Sequence, residues 1–156
     1  SLITLYIHST NLLHDSITTE SATTYTNIGK WFGDLKQRQT SADILTAVTT
    51  HFDSEETGFA HFYLAYELKR EGEYTLAIEA FQSALPTIPD KKQLQAYEQL
   101  AMLYEHQIKD YAQAYAYSRK GSELIEHLSF AKPQQLENQI GNWHKRLTRL
   151  AKKQND

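Results

Sequence analysis

The chain contains no cysteine in its 156 residues, and it has only three prolines and six glycines. The absence of cysteine excludes a disulfide framework, a thiolate metal site and a cysteine nucleophile. The scarcity of proline and glycine suits long, uninterrupted helices. No apolar run approaches the roughly 20 residues that a membrane-spanning helix needs. The composition therefore favours a folded cytoplasmic protein built from helices.

The motifs of the common enzyme classes are also missing. The sequence has no HExxH, no GxSxG, no P-loop and no GxGxxG. Its histidines do not fall at metal-ligand spacing, since His8 and His14 are six residues apart and His51 and His61 are ten apart. We therefore expect no catalytic site, no metal and no cofactor within these residues.

Lysine and arginine are absent from the first 29 positions, and the net charge of −3 argues against a general polyanion binder. Five cations crowd the end of the chain instead: Lys145, Arg146, Arg149, Lys152 and Lys153. One interpretation is that they contact phosphates. The commoner interpretation is that they solvate a helix and complement the negative end of its dipole. Without stacking aromatic residues nearby, the sequence indicates at best nonspecific nucleic-acid binding.

The stretch from Gly58 to Pro89 has the pattern of two helices folded back on each other. Apolar residues recur at three-and-four spacing on both sides of Gly72, and Pro86 and Pro89 end the second run. The short connection at Gly72 allows only antiparallel neighbours. We expect Ala65 and Ala77 at the closest approach of the two helices, where small side chains permit a tight crossing.

The same pattern repeats at a fixed interval of 36 residues. The pairs that mark it are Ile28 and Gly29, Leu64 and Ala65, and Leu100 and Ala101. Repetition at one period is the sequence signature of a stacked array. We expect three helical hairpins, with Ser54 and Asp90 as N-caps of the second and third.

The two ends of the chain complete this division. Residues 2–13 have helical spacing of apolar residues, although their β-branched content would also suit a strand. Pro133 opens a last helix with one apolar stripe, as a terminal cap needs. We predict an N-terminal helix over residues 1–15, the tail of a preceding domain in a longer protein. Three hairpins over 16–128 and a capping helix over 129–156 follow.

The central hairpin resembles a tetratricopeptide (TPR) repeat. The residues that carry the resemblance are Leu64, Ala65, Leu68, Gly72, Tyr74, Ala77, Phe81, Ala84 and Pro89, whereas His61 stands where the family usually has tryptophan. The resemblance implies an all-α, right-handed superhelical stack of antiparallel hairpins whose first helices line a groove. Carried over to this chain, the groove residues are Thr26, Lys30, Phe59, Phe62, Tyr66, Lys69, Glu98, Met102 and Glu105.

The middle of that groove is aromatic, and the pattern with which some TPR domains clamp a C-terminal carboxylate is missing. We therefore expect a hydrophobic peptide or helix to dock on Phe59, Phe62 and Tyr66. The alternative is that the N-terminal helix or a neighbouring domain already covers these residues.

Three further segments are similar to the C-terminal region of bacterial proteins that join a ribonuclease-H-fold, DEDD-type 3′–5′ exonuclease domain to TPR repeats. They are IGKWFGDL, LAMLYEHQIKDYAQAYAYSRKG and WHKRLTRL. The resemblance implies that the metal-binding acidic residues lie before Ser1. We expect a noncatalytic scaffold that binds a protein, a peptide or its own nuclease domain. The alternative is a nucleic-acid-positioning module that works through the basic C-terminal helix.

Overall fold

The computed structural model describes residues 19–130 and 132–156, and all regular structure in those ranges is helical. The helices are α1 (Thr19–Asp34), α2 (Arg38–His51), α3 (Gly58–Arg70), α4 (Tyr74–Ala84), α5 (Asp90–Leu103), α6 (Tyr111–Ile125) and α7 (Pro133–Asn155). The all-α prediction is confirmed for these ranges, while the helix predicted over residues 2–13 lies outside them. A search of the same ranges finds no helix that is both long enough and apolar enough to cross a bilayer.

The chain divides into two compact units between Ile88 and Pro89. The described part of unit 1 contains α1 to α4, and unit 2 contains α5 to α7. Consecutive helices pack together within each unit, so that α1 contacts α2, α3 contacts α4, and α6 contacts both α5 and α7. The predicted pairing of helices into three hairpins is confirmed. The predicted boundaries at 15/16 and 128/129 remain predictions.

The hairpin turns are short and close through left-handed residues. Gly72 has φ +83°, which glycine adopts without steric cost, and the amide of Glu73 then donates to the carbonyl of Leu68 at 2.9 Å. Lys36 takes the same role between α1 and α2 with φ 61°. These turns leave each pair of helices antiparallel.

Two of the predicted helix starts are wrong. Ser54 is not an N-cap, because the amide of Glu56 donates to the carbonyl of Asp53 in a separate turn and α3 begins only at Gly58. Asp90 is the first helical residue rather than the cap. Pro89 precedes it in an extended conformation with ψ 159°, and no side chain caps this end.

The second helix includes the polar residues that precede Ala42 in the sequence. It begins at Arg38, whose guanidinium donates to the carbonyl of Gly33 at 2.8 Å. The same carbonyl also accepts from the amide of Lys36 at 2.9 Å, so the Arg38 side chain adds a second contact at the end of α1. The polar residues before Ala42 therefore extend α2 instead of forming a loop.

Small residues lie where the 36-residue interval places them. A Cβ atom at Gly29 would stand 2.8 Å from Leu45 Cδ2 across the α1–α2 crossing. Ala65 and Ala101, at the matching positions of the next two hairpins, are both 0% exposed, and so is Ala77 on α4. The repeat therefore marks positions where two helices pack too closely to leave room for a larger side chain.

Unit 2 closes around the one apolar stripe of α7. Trp143 and Leu150 on this helix are 2% and 0% exposed. The indole of Trp143 packs on Gly121 of α6, where a Cβ atom would stand 2.6 Å from its Cζ3. The predicted amphipathic helix thus covers α6 with its apolar side.

Candidate protein-interaction surface

Helices α1 and α3 of unit 1 enclose a shallow recess of about 180 Å³, here called the α1–α3 recess. Its lining residues are Thr23, Thr26 and Asn27 from α1, and Glu56, Phe59 and Tyr63 from α3 and the turn before it. Sites for drug-sized ligands typically measure roughly 300–1,000 Å³. The recess is below that range, so its size suits one side chain of a protein partner better than a cofactor.

A pair of stacked aromatic rings forms one side of this recess. Phe59 is 41% exposed, and its ring lies 6.3 Å from that of Tyr63 with 25° between the planes. The two residues are one helical turn apart on α3 and so share a face. A supported and partly exposed aromatic ring is a typical anchor in protein interfaces, because little rotamer entropy remains to be lost on binding.

A positive charge lies beside the aromatic pair. The ammonium group of Lys30 stands 5.8 Å from the centre of the Tyr63 ring and 2.8 Å from the carboxylate of Asp34. The hydrogen bond to Asp34 raises the pKa of Lys30 above its ordinary value. The surface around the recess therefore combines an aromatic face with a fixed cation.

Two of the aromatic residues predicted to line the groove pack against α4 instead. Phe62 is 2% exposed, and its ring packs edge-on against Phe81 of α4 at 6.0 Å. Tyr66 is half-buried and also meets Phe81 edge-on, at 5.2 Å. Phe62 is thus a core residue, and its predicted place on an exposed groove is corrected. Tyr63, which the sequence pattern did not single out, is half-buried and lines the recess instead.

The other predicted groove residues of unit 1 divide between the recess and its surroundings. Thr26 lines the recess and is 4% exposed, and its hydroxyl donates to the carbonyl of Ala22 at 2.8 Å. Lys69 is half-buried near the end of α3 and does not line the recess. Of the predicted set in this unit, Thr26 and Phe59 therefore form part of the recess.

A buried carboxylate joins α1, α2 and α3 just beyond this surface. Oε1 of Glu67 accepts from Arg70 at 2.7 Å and from Arg38 at 3.2 Å, and the Glu67 side chain is 5% exposed. A Cβ atom at Gly33 would stand 2.9 Å from the same oxygen. The Arg38 contact ties α2 to α3, the helix that carries Phe59 and Tyr63.

Of the three predicted groove residues of unit 2, Glu105 lies in the interior of the unit. Glu105 is fully buried, and Arg149 donates to both its oxygens at 2.8 Å while Lys153 donates to Oε1 at 2.8 Å. The hydrogen bond from Arg149 and then that from Lys153 lower the pKa of Glu105 to about 2, against the opposing effect of burial. We call Glu105, Arg149 and Lys153 the unit 2 ion cluster. Met102 is half-buried.

A second ion pair in unit 2 involves another of the predicted phosphate contacts. Arg146 donates to Glu98 at 3.0 Å and lies over the Trp143 ring at 4.9 Å. With Arg149 and Lys153 bound to Glu105, three of the five predicted phosphate contacts bind carboxylates. Lys145 and Lys152 are the two of the five without a carboxylate contact in the described part of the chain, and both are exposed on α7.

Comparison of the sequence with protein-family models gives no match, and comparison with curated proteins gives none either. The similarity to TPR repeats is therefore supported by the helical hairpins and by the 36-residue spacing between the small residues at their crossings.

Proposed function

We propose that unit 1 is a noncatalytic protein-interaction module that holds an apolar side chain of a partner helix or peptide in the α1–α3 recess. The observation that carries this proposal is the stacked pair of Phe59 and Tyr63 beside a cavity of side-chain size. Both rings are held on α3, and Glu67 fastens that helix to α2. A rigid aromatic anchor on a fixed helix is well suited to recognise another protein.

The wider setting of this module follows from the resemblances in the sequence. We propose a TPR-like, right-handed stack of three hairpins that forms the C-terminal part of a longer bacterial protein with a ribonuclease-H-fold exonuclease domain. The antiparallel hairpins and their shared interval support the TPR-like part. The partner would then be a separate protein or the nuclease domain itself. A set of DEDD-type acidic residues encoded upstream of Ser1 is expected.

The size of the effect at Phe59 can be worked out from its exposure. A phenylalanine exposes roughly 200 Å² when unfolded, and the ring is 41% exposed here, so binding would bury about 80 Å² more. At roughly 25 cal/mol per Å² this area contributes about 2 kcal/mol. Removing the ring should therefore weaken binding about 30-fold.

The experiment is a selection of peptides from a displayed library of amphipathic helices on the immobilised 156-residue chain. The dissociation constants of the selected peptides are then measured by isothermal titration calorimetry. We expect Phe59→Ala to weaken binding about 30-fold and Leu76→Ala to leave it unchanged. Leu76 is a matched control because it is 48% exposed on α4 and does not line the recess. Equal affinity for both variants would refute the proposal.

The alternative, nucleic-acid positioning by α7, has less support. Arg146, Arg149 and Lys153 already bind carboxylates, so only Lys145 and Lys152 offer exposed charge without such a contact in the described ranges. Each phosphate contact contributes separately to the salt dependence of binding. This alternative therefore predicts a weak interaction with a shallow salt slope.

A further inference from the structure

We propose that the partner of the α1–α3 recess is a helix with one acidic and one basic residue seven positions apart, and a large apolar residue between them on the same face. The apolar residue enters the recess beside Phe59, while the acidic residue meets Lys30 and the basic residue meets Glu56. This inference rests on the proposed function, because it specifies the chemistry of the partner that the recess binds.

One end of the recess carries a positive charge. The ammonium group of Lys30 stands 5.8 Å from the centre of the Tyr63 ring, one helical turn beyond Asn27 of the recess wall. It also binds the carboxylate of Asp34 at 2.8 Å, and both side chains of this salt bridge are exposed. An ammonium group has three donors. Lys30 can therefore bind a carboxylate of the partner and keep its contact with Asp34.

The opposite end of the recess carries negative charge. Glu56 lines the recess and is half-buried, while Asp53 and Glu55 of the same turn are exposed. Lysine and arginine are absent from positions 39–68 of the sequence. Neither this turn nor the first two turns of α3 therefore supplies such a cation to the recess. A basic residue of the partner is the complementary group at this end.

The two charges are separated along the recess. On the α1 wall, Lys30 follows Thr23 by seven residues, which corresponds to about 10 Å of helix. On the other wall, Tyr63 follows Glu56 by the same number of residues. Lys30 stands over Tyr63, so Glu56 belongs to the other end. A partner helix has the same rise, and its residues i, i+4 and i+7 share one face, so its charges match this separation.

The loss of water on binding makes the charges of the partner matter. A side chain that fills the recess removes water from the half-buried carboxylate of Glu56. Lost hydration disfavours a charged group, and a basic residue of the partner offsets that loss. An acidic residue at the same end would add repulsion instead. The recess therefore discriminates between partner helices that carry the same apolar residue but different flanking charges.

The experiment selects peptides from a displayed library of helices that is randomised at positions i, i+4 and i+7. The immobilised targets are the parent chain, Lys30→Glu and Glu56→Lys, and the selected peptides are sequenced. On the parent we expect one acidic and one basic residue around an apolar position i+4. On Lys30→Glu we expect basic residues on both sides, and on Glu56→Lys acidic residues on both sides.

Matched controls carry the same changes in net charge at exposed positions that do not line the recess. They are Lys132→Glu, before α7, and Glu79→Lys, on α4. Both should select the charge pattern of the parent. The same pattern on all five targets, or no charge preference on the parent, would overturn the inference.

A second measurement needs no change in the protein. The acidic and the basic residue of a peptide selected on the parent are replaced in turn by glutamine, and the dissociation constants are measured by isothermal titration calorimetry. Each replacement should weaken binding about two- to fivefold in dilute buffer. The difference should disappear at about 1 M salt, where charges are screened beyond about 3 Å. Equal affinities in dilute buffer would overturn the inference even if a protein variant failed to fold.

The results distinguish this inference from the proposed function. Selected peptides that depend on Phe59 but show no charge preference would support the proposed function and overturn the inference. Charge preferences that persist unchanged in a Phe59→Ala chain would support the charged contacts and refute the aromatic anchor. A failure to select any peptide on the parent chain would refute both.

Discussion

Replacing Glu105 with glutamine removes the charge at the centre of the unit 2 ion cluster while nearly preserving the size of the side chain. The carboxylate has a pKa of about 2 in the folded chain, compared with an ordinary value of 4.5. That difference corresponds to about 3 kcal/mol of interaction that favours the charged form.

The neighbours of Glu105 set how much of that energy is lost. The side chains of Arg149 and Lys153 are 49% and 36% exposed, so water can solvate them once the carboxylate is gone. Removing one partner of a fully buried pair costs roughly 3–5 kcal/mol, because it leaves the other charge buried. For Glu105→Gln we therefore expect a smaller loss in the free energy of unfolding, about 2–3 kcal/mol.

The assay is urea unfolding followed by the fluorescence of Trp143 in a Trp31→Phe background. Trp143 is buried in unit 2, so its signal reports on that unit alone. The expected loss corresponds to a fall in the urea midpoint of about 1–2 M.

Glu123→Gln is the matched control for this assay. Glu123 pairs with Arg119 at 3.0 Å in the same unit, but both side chains are more than 60% exposed. Such surface pairs contribute roughly 0–1 kcal/mol. If Glu105→Gln destabilised unit 2 no more than Glu123→Gln, the reasoning about the ion cluster would be refuted.

Two further predictions concern the same unit. The folded pKa of Glu105 is below its ordinary value, so the contribution of the ion cluster to the free energy of unfolding is complete above pH 4.5 and is lost as the pH falls towards 2. The free energy of unfolding, measured from Trp143 fluorescence at stepped pH, should therefore decline less steeply for Glu105→Gln than for the parent. Gly121→Ala should lower stability by about 1–3 kcal/mol, because the added methyl would meet the Trp143 ring. Gly141→Ala, which meets nothing within 4 Å, should raise stability by about 0.5–1 kcal/mol. Thermal melting of both variants checks this contrast, and equal melting temperatures would contradict it.

The hairpins were predictable from the sequence because two helices that cross closely leave no room for a large side chain at the crossing. A helix crossing tolerates only small side chains at its closest point, so Gly29, Ala65 and Ala101 recur at one interval whatever surrounds them. The turn at Gly72 was predictable for a similar reason, since few other residues adopt φ +83°. Local constraints of this kind are visible in a single sequence.

The face that each aromatic residue presents was not predictable in the same way. Four aromatic residues at positions 59, 62, 63 and 66 surround α3. A shift of one position rotates a side chain by about 100°, so the spacing does not decide whether Phe62 or Tyr63 lines the recess. Only the packing of Phe62 against Phe81 decides it.

The buried carboxylates were missed because their partners are distant in the chain. Glu105 resembles an ordinary residue on a polar helix face, and its partners Arg149 and Lys153 follow 44 and 48 residues later. A signal was present nonetheless, since Arg149 and Lys153 are four residues apart on one face of α7. Their spacing suits a shared acidic partner, but it does not say which of the nineteen acidic residues that partner is.

The most direct test of the interaction module is the location of the bound peptide. A ¹⁵N-labelled 156-residue chain is titrated with a library-selected peptide while the amide chemical shifts are followed. Binding in the α1–α3 recess predicts that the largest shifts fall on Thr23, Asn27, Phe59 and Tyr63. Shifts centred instead on Lys145 and Lys152 of α7, with the recess amides unmoved, would contradict it.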